Sequence, residues 1–159
     1  MMRKVLTAIF ITLFCSILPV FADSGEQAVI GTLHAYEQAW SKHDSQVVAS
    51  FYHEPAMRLG KGGPAVRPTR IDQEAFFKAF LQGLVERGYA RSTWEALEVR
   101  LLDSQTAIAS GITVRYRADG SLFERLAVTY GLRETPAGWK IFLSATHAPD
   151  TALQFRQVP

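Results

Sequence analysis

The sequence predicts an α+β domain, three helices leading into an antiparallel sheet, and three observations carry that expectation. Val29, Leu33, Tyr36 and Trp40 recur at spacings of four, three and four, one face of an α-helix. From Arg91 onward the apolar period falls to two. Asp103-Ser104 and Asp119-Gly120 then break that half of the chain into strands with tight turns. Helices first and strands afterwards give an α+β layering rather than alternating βαβ units.

The N-terminal segment stands apart. Arg3 and Lys4 precede an apolar run from Val5 to Val20, and Val20-Phe21-Ala22 places small residues at the −3 and −1 positions before Asp23. This pattern reads as a secretory signal peptide over 1–22, too short for a membrane span, with cleavage after Ala22. Cys15 follows Phe14, where a lipoprotein signal needs a small residue, so no membrane anchor is expected after cleavage. The expected location is outside the cytoplasm, periplasmic if the source is Gram-negative. Cleavage removes the only cysteine, together with Arg3 and Lys4 of the 17 basic residues, leaving 15 against 15 acids. A neutral chain without a basic cluster excludes a nucleic-acid partner. Residues 23–159 have the length of one domain and show no repeat or composition break.

Ser24 is the expected cap of the first helix, with Ala28, Thr32, Ala35 and Ala39 widening its apolar face and Gln27, His34, Gln38 and Ser41 opposite. Asp44 caps a second helix in which Val47, Val48, Phe51 and Tyr52 are the buried candidates and which Pro55 stops. Ala56–Leu59 reads as a short extended piece before the turn GKGGP, and Ala65–Arg70 as extended or irregular. Asp72 is the expected cap of the third helix, whose apolar face is Phe76, Phe77, Phe80, Leu81 and Leu84 and whose end is Gly88. Four strands follow. The first carries Leu97, Val99 and Leu101, the second runs from Thr106 to Tyr116, and the third holds Leu122, Leu126, Val128, Tyr130 and Leu132. The last is Trp139–His147, and the tail after Pro149 is expected to be loosely held. Gly111 in mid-strand marks a bend, so the sheet curves with the helices in its concave side.

The opening helix with AYEQAWSKHD, Phe51-Tyr52 after it, the hairpin at Asp119-Gly120 and the closing GWKI resemble the NTF2-like superfamily. The branch is that of small SnoaL-like or ketosteroid-isomerase-like bacterial domains, and the likeness runs from about Glu26 to His147. It implies a cone, a curved sheet around helices with a pocket at the open end. It also implies a homodimer paired through the convex face of the sheet. In the steroid isomerases a tyrosine eight residues before an aspartate cap donates to the developing oxyanion, and Tyr36 and Asp44 share that spacing. The position of the isomerase's general base falls, by count, on Gly60, and that of its protonated acid on Tyr130. An isomerase without its base cannot abstract the proton, which disfavours that activity.

Tyr36 is buried on either reading of the apolar face: functional if its hydroxyl meets a cavity, structural if it bonds a backbone carbonyl. Trp40 is core or pocket wall, Asp44 a cap, and His34 and His43 are expected in solvent. Glu37, at the edge of the apolar arc, is read as a surface ion pair. Histidines 34, 43, 53 and 147 have no metal-ligand spacing, and neither a metal nor a cofactor is implied. His147, among small neighbours, is the candidate general base, although alternation alone does not say which face it takes. GKGG lacks the spacing of a phosphate-binding loop, and no G-x-S-x-G elbow is present. Met57, Phe76, Phe80, Trp94 and Tyr130 supply apolar and aromatic lining.

The leading expectation is a secreted domain holding a small apolar or aromatic molecule, with Tyr36, Trp40, Met57, Phe80 and Tyr130 around it. Two alternatives stand beside it. One is a small acid–base enzyme, an isomerase, dehydratase or cyclase, using Tyr36 with His147. The other is a non-catalytic dimerisation or assembly domain.

Overall fold

The apolar stripe seats the first helix across the sheet. In a computed structural model, which describes residues 23–155, helix α1 spans Asp23–Ser41 and buries Val29, Leu33, Tyr36 and Trp40. The signal read at 1–22 lies outside the described residues, and Ser24 falls inside the helix rather than capping it. Gln27, His34 and Gln38 are exposed as expected, but of the flanking small residues Ala39 is buried while Ala28 and Ala35 face solvent. Two polar ties fix the docking: Glu26 Oε1 accepts from the Leu101 amide at 3.3 Å, and Trp94 Nε1 donates to the Leu33 carbonyl at 3.4 Å.

Asp44 caps helix α2, Ser45–Ser50, its Oδ1 accepting from the Val47 amide at 3.0 Å. This helix is shorter than expected. It stops at Ser50, Val47 is exposed, and Tyr52 opens strand β1, Tyr52–Gly60, instead of lying in the helix. The chain leaves the helix because the Phe51 carbonyl accepts from the Ile141 amide at 2.8 Å, joining the sheet before Pro55 is reached. Pro55, with no N–H to give, falls where the ladder shifts register between Tyr52 and Met57. The glycine turn at φ +88° (Gly63) returns the chain as strand β2, Gly63–Arg67.

Helix α3, Arg70–Glu86, is capped by Thr69 rather than Asp72. Asp72 instead completes a capping box: its amide donates to Thr69 Oγ1 at 3.2 Å while its carboxylate accepts from the Thr69 amide at 3.1 Å. Phe77, Leu81 and Leu84 are buried, Phe76 and Phe80 only half so. Gly88, at φ +95°, ends the helix as expected.

The expected four-strand meander is present as β3 (Arg91–Asp103), β4 (Thr106–Tyr116), β5 (Leu122–Thr135) and β6 (Gly138–His147). The sheet is nevertheless six-stranded, in the order β2-β1-β6-β5-β4-β3, because the β1–β2 hairpin adds to the β6 edge. β1 runs parallel to β6, and the other pairs are antiparallel. The concave face of β4 is built of Ala107, Ala109, Gly111, Thr113 and Arg115, while the bulkier Ile108, Ile112 and Val114 take the convex side. Small residues leave the concave side room for α1 and the Trp94 ring. A Cβ on Gly111 would stand 2.4 Å from the Ala96 carbonyl and 2.9 Å from the Trp94 ring.

Within the described residues, up to Phe155, the tail is not loose. The Leu153 amide donates to Ser110 Oγ at 3.0 Å and the Phe155 amide to Glu98 Oε2 at 2.7 Å, strapping residues after Pro149 across the convex face.

Gly111→Ala forces a side chain against immobile backbone, so it is expected to cost about 1–3 kcal/mol, read as a lowered midpoint in urea unfolding.

Candidate functional site

Alternation along the strands brings a mixed set of side chains to the concave side, under α1. Arg58, Ser144 and Tyr130 sit in one cross-strand row of β1, β6 and β5. Thr146 pairs with Val128 and Leu126 with Thr113, and Arg115 pairs with Glu124 at the open end. With Tyr36, Glu37 and Trp40 from α1 and Tyr52, Ser92 and Trp94 beside them, these residues enclose a cavity of about 40 Å³. That is room for a few water-sized groups, well short of a pocket for a drug-sized ligand.

Tyr36 is the centre of its inner wall. Its hydroxyl hydrogen-bonds that of Tyr52 at 2.9 Å, and its ring meets Trp40, Phe51, Tyr52 and Tyr130 edge-on at 5.7–6.1 Å between centroids. Burial, and after it the neighbouring Tyr52 and Tyr130, hold the Tyr36 phenol well above its usual range, so it stays protonated and can donate. Burial likewise raises Tyr130. Neither alternative for the Tyr36 hydroxyl, a backbone partner or an open cavity alone, describes it: its partner is a second phenol on the cavity wall.

Two arginines reach the site. Arg115 is buried, pairs with the Glu124 carboxylate, and lies with its guanidinium carbon 5.1 Å from the Trp40 ring centroid and 5.7 Å from that of Tyr89. Arg58 is held by rings instead, 4.9 Å from Phe80 and 5.5 Å from Phe76, and makes no ion pair among the described residues. Glu37 makes none either, contrary to the expected surface pair. Burial alone pushes its carboxyl up to about 7.

Four buried side-chain polar atoms lack a hydrogen-bond partner among the described residues: Glu37 Oε1, Trp40 Nε1, Arg115 Nε and Ser144 Oγ. All four belong to residues lining this one cavity. Each such group costs about 1–3 kcal/mol when left unpaired, so this cavity is where the polar groups of the interior converge.

The expected site residues divide. Tyr36, Trp40 and Tyr130 line the cavity, as does Trp94. Met57 faces a separate narrow gap with Ala56, Gln73 and Phe76. Phe80 stays outside the lining and serves as the ring beneath Arg58. His147 is on the wrong face for a base acting in the cone: it pairs with Ala127, its ring nitrogens bond Thr129 Oγ1 at 2.9 Å and Thr151 Oγ1 at 2.7 Å, and it anchors the tail. His43 is not simply in solvent, since Nε2 meets the Ala90 carbonyl at 3.1 Å and the ring packs on Tyr89. Gly60, the counted position of the isomerase base, sits at the hairpin tip, and the β1 residues that face the cavity are Tyr52 and Arg58.

Glu37 was read only as a surface ion pair, and the strand residues Arg58, Arg115, Ser144 and Thr146 were not singled out in sequence. Their signal is parity, residues two apart with polar chains on the core-facing side of otherwise apolar strands, and it is readable only once the face is known.

Helices held in a curved sheet, with a small polar and aromatic cavity at the open end, define an NTF2-like cone. Residues 26–149 match the family described as NTF2-like protein (DUF6841), and the chain belongs to it. Among solved structures it is similar to an NTF2-like protein with a cystatin-like fold from Novosphingobium aromaticivorans, at 20% identity and TM-score 0.67, covering 82% of this chain and 90% of that one. It is also similar to a candidate calcium/calmodulin-dependent protein kinase II association domain from Xanthomonas campestris, at 19% identity and TM-score 0.63, over 87% and 97% of the two chains. A third is a candidate dehydratase of the NTF2-like family from Streptomyces avermitilis, at 16% identity and TM-score 0.62, over 80% and 96%. At these identities the likeness is one of fold. No curated protein sequence matches.

Because the folded state holds the Glu37 proton to a higher pH than the unfolded chain does, stability conferred below about pH 4.5 is lost as pH rises through about 7. Glu37→Gln, neutral at every pH, is therefore expected to be more stable than wild type at pH 8 by about 1–2 kcal/mol, the partial exposure of the carboxyl reducing the effect. The gain should vanish at pH 4, as paired denaturant curves will show.

Proposed function

We propose that the cone cavity binds a molecule of a few heavy atoms with a negatively charged, hydrogen-bonding head, a short carboxylate, and a small apolar body. The observation that carries this reading is the convergence of the four unpartnered buried atoms on one cavity. Two of them, Trp40 Nε1 and Arg115 Nε, are donors without acceptors. Arg58 adds a positive charge that no carboxylate among the described residues offsets, whereas Arg115 is matched by Glu124. Trp94, Leu126 and Val128 provide the apolar wall. A purely apolar ligand, the expectation from sequence, would leave the unpaired donors unsatisfied. In this reading residues 1–22 are an export signal, so the ligand is met outside the cytoplasm.

Tryptophan fluorescence tests it directly, since Trp40 and Trp94 both line the cavity. Short aliphatic carboxylates are expected to bind, and their neutral amides to bind at least tenfold more weakly. Arg58→Gln should weaken the carboxylates by about 10–100-fold and the amides hardly at all, the difference made by one charge-assisted hydrogen bond. Equal binding of acid and amide by the wild type would refute the anionic reading.

A further inference from the structure

Two of the unpartnered atoms in the cavity belong together. Trp40 Nε1 and Arg115 Nε are both N–H donors on side chains more than nine-tenths buried. The Arg115 guanidinium carbon lies 5.1 Å from the centre of the Trp40 ring. A single oxygen accepting at about 2.9 Å from each N–H can span donors that close. The polar groups nearby are engaged with one another instead. Tyr89 Oη bonds Ser92 Oγ at 2.7 Å, Thr113 Oγ1 donates to the Thr93 carbonyl at 3.5 Å, and Tyr36 Oη bonds Tyr52 Oη at 2.9 Å. Glu37 Oε1, an acceptor in the same cavity, bonds neither donor.

Charge separates this pair from Arg58. Glu124 already offsets Arg115 through Nη1, so what the two donors need is an acceptor and not a negative charge. Arg58 has no ion pair among the described residues, and its cross-strand neighbour Ser144 carries another unpartnered atom, Oγ. The strands that carry the two arginines, β1 and β4, are three ladder steps apart, about 14 Å before the side chains reach inward. The two sets of groups stand on opposite flanks of one cavity.

We propose that Trp40 Nε1 and Arg115 Nε form a second, uncharged subsite, which takes a carbonyl oxygen carried by the ligand at the end remote from its carboxylate. This rests on the anion-binding reading above, with Arg58 and the Ser144 hydroxyl at the carboxylate end. A carbonyl oxygen offers two lone pairs and no proton, which matches two donors. A methylene in its place leaves both buried N–H groups unpaired. A second carboxylate meets an arginine whose charge Glu124 has already offset, and loses its hydration without a cation in return. The ligand class is a short oxo acid, its two polar ends separated along the apolar wall of Leu126 and Val128.

The probes are 4-oxopentanoate, pentanoate and butanedioate, titrated by tryptophan fluorescence. Pentanoate replaces the ketone by a methylene, and butanedioate puts a carboxylate where the ketone stands. Wild type is expected to bind 4-oxopentanoate about five- to tenfold more tightly than pentanoate, the difference made by a neutral hydrogen bond to buried donors, and butanedioate no more tightly than pentanoate. Trp40→Phe keeps a ring beside Arg115 and removes one donor. It should lower the preference for the oxo acid by about threefold and leave pentanoate within about twofold, with Trp94 still reporting. Arg58→Gln should weaken both monoacids alike and leave their ratio intact. In the wild type, the ketone resonance of 4-oxopentanoate in carbon-13 NMR should move downfield on binding, a readout independent of any variant's stability. Equal wild-type affinity for 4-oxopentanoate and pentanoate, or an unmoved ketone resonance, overturns the second subsite and leaves anion binding standing. Tighter binding of butanedioate than of 4-oxopentanoate overturns its uncharged character. If none of the three binds, the subsite fails together with the anion-binding reading.

Discussion

The contact on which the cavity depends is the phenol pair, Tyr36 on α1 and Tyr52 at the start of β1. Their hydroxyls meet inside the cone, where a buried O–H needs a hydrogen-bond partner. The pairing holds the helix at a fixed height over the sheet. The Tyr36 ring also takes edge-on contacts from Trp40, Phe51 and Tyr130, which ties α1, the α2–β1 junction and β5 to one side chain. Each aromatic pair is worth about 0.5–1.5 kcal/mol beyond its buried area. Together they outweigh the single hydroxyl bond, so the rings set the packing and the hydroxyls set its register.

Above that anchor the arrangement is governed by charge. Two guanidinium groups enter the same low-dielectric space, and the protein treats them differently. Arg115 is matched by Glu124 and lies against two rings, a combination that makes a buried cation tolerable. Arg58 has only the faces of Phe76 and Phe80, and cation–π contact is a weaker compensation than an ion pair. Arg67 crowds the same Phe76 ring at 3.6 Å, and burial together with the nearby Arg58 lowers its pKa. Two like charges sharing one ring is a local conflict. The Asp72 carboxylate offsets part of it from the Arg67 side, while no ion pair among the described residues offsets it at Arg58.

The parts legible in sequence were those with a period. The four-three-four stripe of α1, the Asp44 cap and the alternating strands from Arg91 onward each follow from spacing. β1 and β2 showed only as short extended pieces around a glycine turn, because Pro55 and the glycines around residue 62 interrupt the pattern of a strand pair at the sheet edge, where a broken ladder costs little. The site itself was half visible. Tyr36, Trp40 and Tyr130 announced themselves as large rings on apolar faces, but Met57 and Phe80 look the same in sequence and sit elsewhere. His147 shows the limit most plainly: period-two alternation fixes which residues share a face and says nothing about which face is concave. A one-residue difference in that assignment moves a histidine from the pocket to the outside of the cone.

That ambiguity also explains why the charged residues of the cavity were the least conspicuous. Glu37 sits at the edge of a helical arc, where a solvated carboxylate is the ordinary expectation. What changes its character is the curvature of the sheet, which brings Arg115, Tyr130 and Ser144 up around the helix and takes the carboxyl partly out of water. A fold selected only for stability would fill this space with a methyl-bearing side chain or give Glu37 an arginine of its own. The protein has arginines within the same cavity and uses one for Glu124 and the other for ring contacts. Keeping a partly buried acid near neutrality without a cation of its own opposes stability, and such local conflicts concentrate at functional sites rather than in packed cores.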